Sequence, residues 1–364
     1  MDRIARHSAV VGGIAALALA LSACGGDAEG SDGVASDLSG ELAIGGASSQ
    51  EAAQNAWIVG FGEVAPDVTV TYDPVGSGGG RENFISGGYP LAGSDAYLTD
   101  DEGELTAARE RCSGDPIEVP DYVSPIAVVY HLEGVDELRL SPDTLAGIFA
   151  GSITRWDDPA IVETNPDADL PSEPIEPVHR SDESGTTENF TDYLDAVAGD
   201  VWTHGAVETW PSEAGGEGAK GTSGVVKVVT DSEGTIGYAD ASQAGELAHA
   251  LVGVGGEYVG PSAEAAAAVL DVSPRVEGRA DVDLAFDLDH ATSEGGVYPI
   301  VLTSYLLACT TYEDEETADL VKAYLGYVLS EEGQEFAAEE AGSAPLSEEL
   351  RDEALAIVEQ ISAG

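Results

Sequence analysis

Leu42, Ala43 and Ile44 form a short apolar run that stops at Gly45 and Gly46. Beyond it Ala52, Ala53, Ala56, Trp57 and Phe61 recur at helical spacing, so residues 45–61 read as strand end, turn and helix. Ser48 and Glu51 stand at the spacing of a capping box. Val68, Val70 and Tyr72 alternate with polar residues as a second strand, which ends in Gly76, Ser77, Gly78, Gly79 and Gly80. A short helix over 83–88, a strand over 91–95 and a helix over 105–111 follow. The stretch 122–130 carries the apolar run Ile126, Ala127, Val128 and Val129, the pattern of a strand buried on both faces. Pro142 is placed to open a helix over 144–149. Proline-rich 166–177 reads as a surface connection, with a strand over 175–178. A glycine-rich loop at 215–224 precedes an amphipathic turn at 225–229 and a strand at 236–239. An alanine-rich helix over 263–270 and an apolar stretch at 302–308 come next. Leu320, Val321, Tyr324, Leu325 and Val328 fall on one face of a helix over 318–329, and 354–361 reads as a last helix. Strands and helices alternate throughout, so the fold class is α/β.

The start of the chain does not belong to this pattern. Arg3 and Arg6 precede an apolar run at 9–21 that is short for a membrane span. Leu21, Ser22, Ala23 and Cys24 close it and resemble a bacterial lipoprotein signal, which implies cleavage before Cys24 and lipid on its sulfur. An ordinary secretory signal with an incidental cysteine is the other reading. Residues 1–23 are thus expected to be signal and 24–40, rich in Gly, Ser and Asp, a flexible tether. The remaining chain of about 340 residues suits two domains. Its two other cysteines, Cys112 and Cys309, are expected to pair in an exported protein. The histidines are isolated and no Cys-x-x-Cys occurs, which argues against a metal; no cofactor is expected.

Fourteen basic residues against 68 acidic ones give a formal charge of −54. That excludes a general nucleic-acid surface. It also makes any anion site a local matter of backbone dipoles, hydroxyls and a single arginine.

One stretch offers such a site. Ser184, Gly185, Thr186 and Thr187 open a helix that continues through Phe190 and Leu194. Helix starts present free N–H groups to anions. Arg180, four residues earlier, can bring its planar fork to the same point, with Asp182 to hold it. An N-cap beside a surface ion pair is the plainer alternative. The glycine-serine turns around Ser48 and Ser77 repeat the device.

These stretches, with Gly93, Ser94 and Asp95, with Ile148, Phe149, Trp156, Asp158 and Pro159, and with Gly234 to Tyr238, resemble the phosphate-binding component of the phosphate-specific ABC importer. The resemblance implies a two-lobed periplasmic-binding-protein fold with a cleft between two α/β lobes. The chain would cross near Ser124 and Pro125 and return near Val297, Tyr298 and Pro299. Lobe one would hold 41–124 and 298–364, and lobe two 125–297. It further implies a phosphate site of Ser48, Ser49, Ser77, Asp95, Arg180, Ser184, Gly185 and Thr186, with Asp182 orienting Arg180. Many members carry phenylalanine where Ser49 stands, so a side-chain contact there is open while its N–H remains available. Inorganic phosphate and permease subunits would be the partners of a lipid-anchored monomer on the outer face of the cell membrane. Sulfate or molybdate binding on the same fold is the nearer rival. A serine hydrolase or phosphatase is the remoter one, since Ser184 lacks a Gly-x-Ser-x-Gly elbow and a partner histidine. The four tryptophans, Trp57, Trp156, Trp202 and Trp210, read as packing residues.

Overall fold

The computed structural model describes residues 38–364. Cys24, the signal and most of the expected tether lie outside them. The first strand, Ser39–Gly46, begins inside the 24–40 segment.

An open mixed sheet carries the molecule. Its strands lie in the order Asp67–Asp73, Ser39–Gly46, Ala92–Ser94, Val301–Cys309, Pro116–His131, Thr235–Asp240, Glu176–Arg180 and Glu217–Ala219. The strand Pro116–His131 changes partner along its length. Residues 116–125 pair antiparallel with Val301–Cys309, and residues 126–131 pair with Thr235–Asp240. Prolines mark the places where the ladder is weakest. Pro120 sits where the register with Val301–Cys309 shifts between Ser304 and Tyr305, and Pro125 immediately precedes the change of partner. Nine of its side chains in a row, from Ile117 to Pro125, are buried, and so are the next five. Ile126, Val128 and Tyr130 feed the main core, and Ala127 and Val129 a smaller one with Val178, Val225 and Val229. That two-sided burial is what the unbroken apolar run demands.

Several helices differ from the sequence expectation. The glycine turn at Ser77 is itself helical: the helix runs Ser77–Ser86 rather than starting at 83. A Cβ on Gly80 would stand 2.7 Å from the Gly46 Cα and the Gly93 carbonyl oxygen, so glycine allows this helix to lie directly on the strands. No capping box forms at Ser48, which sits in a short 3-10 turn, Ser48–Gln50, ahead of the helix Glu51–Val64. The turn expected at 225–229 is part of the helix Gly221–Asp231. The last helix is Glu348–Val358, and the helix Glu331–Ala341 carries no strong apolar stripe that would announce it. Pro142 does open its helix, Pro142–Phe149, capped by the Ser141 side chain. All four tryptophans are buried, and each indole N–H donates to a backbone carbonyl. No helix of the described residues is long and apolar enough to cross a membrane.

Cys112, at the end of the helix Glu104–Cys112, is bonded to Cys309, at the end of the strand Val301–Cys309, with Cα atoms 5.2 Å apart. The link closes a loop of 197 residues. Replacing both cysteines by serine is expected to cost about 2–5 kcal/mol of unfolding free energy. Denaturant titration of the variant beside the parent checks it; equal midpoints and slopes would show that the link is not stabilising.

Candidate anion site at a convergence of helix starts

Two sets of elements meet where the sheet changes partner. From one side come the 3-10 turn Ser48–Gln50, the start of the helix Ser77–Ser86, and Asp95 after the strand Ala92–Ser94. From the other come Arg180 at the end of its strand and the start of the helix Gly185–Ala198. Ser48, Ser49, Ser77, Asp95, Arg180, Ser184, Gly185 and Thr186 are all buried there. The approach is close: a Cβ on Gly185 would stand 2.8 Å from the Asp95 Cβ, and one on Gly76 would stand 2.8 Å from Asp182 Oδ2.

The hydroxyls are oriented by backbone. Ser184 Oγ caps its helix by accepting from Thr187 N at 3.1 Å. Ser77 Oγ accepts from Asp95 N at 3.2 Å, and Ser48 Oγ from Thr222 N at 3.0 Å. Each of these oxygens therefore has an N–H on a lone pair and keeps its own proton for another acceptor. Helix dipoles add positive potential at the same point.

Asp182 grips Arg180 through both oxygens, accepting from Nε at 2.8 Å and from Nη2 at 2.5 Å. It also accepts from Gly221 N at 3.0 Å. Burial alone would raise the Asp182 carboxyl; the hydrogen bonds and charge of Arg180 hold it below the usual carboxylate range. Arg180 Nη1 makes no hydrogen bond among the described residues. His179 stacks on Trp210 with ring centroids 4.8 Å apart and bonds the Arg180 carbonyl, which steadies the loop.

Asp95 is the carboxylate on which the hydroxyls converge. Its carboxylate accepts from Ser49 Oγ at 2.7 and 2.6 Å, Ser304 Oγ at 2.8 Å and Thr186 Oγ1 at 3.0 Å. Burial raises it above its ordinary value, while these three hydroxyls and the Arg180 charge pull back. Ser49 thus supports Asp95 with its side chain.

The structure adds residues that the sequence reading passed over. Thr222 stands at a fourth helix start, and Gln243 Nε2 donates to the Ser48 and Ser49 carbonyls at 2.7 and 2.8 Å. Gly221, Thr222 and Ser223 after a glycine-rich run repeat the signal of Ser184, so Thr222 was within reach of the same reasoning. Ser304 lies between Thr303 and Tyr305 in the buried strand Val301–Cys309, where no spacing marks it as a partner of Asp95. Arg81 left no sequence signal. It is buried beside the cleft and donates to both Glu208 oxygens at 2.8 and 2.5 Å, to Glu104 at 2.8 Å and to Ser94 at 3.2 Å. The Glu208 carbonyl accepts from Ser184 N at 3.2 Å, so this ion pair is tied to the anion loop. Glu188 nearby is pushed up to about 8 by burial and by Glu208. No cluster of His, Cys, Asp and Glu among the described residues is arranged to hold a metal.

Known proteins share this arrangement of the chain. A family model described as a PBP superfamily domain matches residues 31–332. Phosphate-binding protein PstS2 of Mycobacterium bovis (strain BCG / Pasteur 1173P2) is 33% identical, over 99% of this chain and 100% of its own. Phosphate-binding protein PstS 3 of Mycobacterium tuberculosis (strain ATCC 25618 / H37Rv) is 36% identical, over 89% of this chain and 90% of its own. Among solved structures, the high-affinity periplasmic phosphate-binding protein PfluDING, bound with phosphate at pH 8.5, superposes with a TM-score of 0.69. It covers 87% of this chain and 93% of its own at 23% identity, a likeness of fold. The relatives are named as binding proteins, and the match runs nearly end to end. The chain belongs to the PstS phosphate-binding proteins of the PBP superfamily.

Proposed function

We propose that this protein captures inorganic phosphate outside the cytoplasm, in the cleft between its two lobes, and delivers it to an ABC importer. The observation that carries the reading is the pairing in one buried site of oriented donors with a single buried acceptor. Ser48, Ser77 and Ser184 offer hydroxyls, Ser49, Gly185 and Thr186 offer N–H groups, and Arg180 offers the full positive charge. Asp95 accepts a proton-bearing oxygen of the ligand. Asp182 orients Arg180. The lobes are 41–124 with 298–364, and 125–297, and they close over the ligand about the two crossing strands. The protein acts as a monomer and performs no chemistry on its ligand: Ser184 Oγ caps its helix, and among the described residues no histidine hydrogen-bonds to it. Calorimetric titration with phosphate, arsenate, sulfate and molybdate tests the proposal. Tight, saturable phosphate binding is expected, and binding of sulfate or molybdate alone would overturn it.

The Arg81–Glu208 pair spans the proposed lobes, so opening them would break it. Arg81→Met is therefore expected to weaken phosphate binding about tenfold, mainly through faster release. Burial and Glu208 push the Glu188 carboxyl up to about 8, so its contribution to folding stability is complete below its ordinary range and is lost as pH rises through about 8. Stopped-flow release rates check the first and denaturant titration from pH 4 to 9 the second; a release rate unchanged in the variant would remove Arg81 from closure.

Cys24 carries the lipid that holds the protein on the outer face of the cell membrane. Cys24→Ala is expected to move the protein from the membrane fraction to the medium. Equal membrane retention of the variant would end the lipoprotein reading.

A further inference from the structure

A chain of buried hydrogen bonds runs from the back of the first lobe to Asp95. Tyr324 Oη donates to Gln54 Oε1 at 2.8 Å, and Gln54 Nε2 donates to Gln50 Oε1 at 2.9 Å. Gln50 Nε2 donates to Ser304 Oγ at 2.7 Å and to the Tyr305 carbonyl at 3.0 Å. Ser304 Oγ then donates to Asp95 Oδ1 at 2.8 Å. Tyr324, Gln54, Gln50 and Ser304 are fully buried, so water does not compete with any link.

The direction of this chain is dictated by one group. The Tyr305 carbonyl can only accept, so the Gln50 amide must turn its nitrogen towards it and towards Ser304. Gln50 Oε1 is then an acceptor, which requires the nitrogen of Gln54, which in turn leaves Gln54 Oε1 to the tyrosine hydroxyl. Ser304, having accepted from an amide, has one proton and one place to put it. Asp95 Oδ1 thus always receives a donor and has no room for a proton of its own. Gly93 leaves the space: a Cβ there would stand 2.3 Å from Gln50 Oε1. Gln50, which ends the 3-10 turn, and Gln54, in the first turn of the helix Glu51–Val64, stand four residues apart and are both buried, at the cost of burying two amides. Packing alone would be better served by leucine or methionine at both positions.

We propose that Ser304 and Gln50, backed by Gln54 and Tyr324, are specificity-determining positioning residues that lock Asp95 as a hydrogen-bond acceptor and so make the site demand a protonated oxyanion. The proposal rests on the phosphate reading above. It assigns the discrimination to residues that do not touch the ligand. The charged or titratable groups facing Asp95 are Arg180 from the opposite lobe, Asp121 and Tyr122 of the strand Pro116–His131, Asp240 of its neighbour, and Tyr72 of the strand Asp67–Asp73. Of these only Arg180 favours the ionised form of Asp95, which is why the hydroxyl donors matter.

The test is a titration of wild type, Ser304→Ala and Gln50→Met with phosphate and with sulfate from pH 5 to 8. Loss of the Ser304 donor makes Asp95 easier to protonate. The acid limb of phosphate affinity should therefore move to higher pH by about one unit, and the phosphate-to-sulfate ratio near pH 6 should fall about tenfold, the scale of one hydrogen bond to a charged group. Gln50→Met should shift both in the same direction by less, and it carries the test if Ser304→Ala does not fold. Phosphate and sulfate weakened by one common factor, with the acid limb in place, would mean a purely structural role and overturn the proposal. Wild type that fails to bind phosphate would overturn the functional reading and this assignment together.

Discussion

Arg180→Ala is expected to weaken phosphate binding by about 3 kcal/mol or more, the scale of removing one partner from a buried charge pair. The magnitude follows from what surrounds the guanidinium. Arg180 is 2% exposed at the end of the strand Glu176–Arg180, so water does little to screen it. Arg81, the other buried arginine beside the site among the described residues, cannot substitute, because it is committed to Glu104 and Glu208. The loss has two parts. The anion loses its full positive partner, and Asp182, now unpaired, remains beside it as a negative charge. Asp182 is held below the usual carboxylate range by Arg180, so it stays ionised in the parent across neutral pH and repels the ligand once the arginine is gone. Arg180→Lys should fall between parent and alanine, since an ammonium keeps the charge and loses the two-pronged grip on Asp182. Calorimetric titration with phosphate measures the difference. A loss under about 0.5 kcal/mol would return Arg180 to the role of an ordinary surface ion pair.

What the sequence disclosed was whatever depends on neighbours along the chain. The Ser184 helix start is local: a capping hydroxyl, two small residues and an apolar stripe, and it folds as read. The buried run at Ile126 to Val129 is local in the same sense. The failures around the site involve partners far away in sequence. Ser48 reads as a capping-box serine, but its hydroxyl bonds Thr222, 174 positions on, and the local cap is forgone. Gly78, Gly79 and Gly80 each disfavour a helix by roughly 1 kcal/mol relative to alanine, so a turn was the reasonable expectation there. The helix forms because only glycine lets it sit on the Gly46 and Gly93 backbone, a contact invisible from its own residues. Likewise Gln50 and Ser304 carry no signal of their own until the fold brings them together behind Asp95. Arg81 and Glu208, 127 positions apart, carry no spacing signal at all.

Asp95 gives the second large effect, which is selectivity. A carboxylate in an anion site repels its ligand unless the ligand brings a proton. Phosphate near neutral pH carries one or two, and can donate to Asp95. Sulfate carries none, so its oxygen and the carboxylate would face each other as two acceptors in a buried site with no donor between them. Sites built to pair with a ligand's proton reject analogues that lack it by roughly 10⁴–10⁵. Phosphate and arsenate are therefore expected to bind at least about a thousandfold more tightly than sulfate at neutral pH, a cautious fraction of that range. Asp95→Asn should narrow the gap from both sides, because its amide can present an N–H to sulfate and no longer offers a charged acceptor to phosphate. Acid should act in the same direction on the parent. Burial already raises the Asp95 carboxyl above its ordinary value, so lowering the pH protonates it, turns it into a donor, and should favour sulfate relative to phosphate. Competition titration at neutral and acid pH decides the matter: sulfate displacing phosphate at comparable concentration in neutral buffer would remove Asp95 from its assigned role and the phosphate assignment with it.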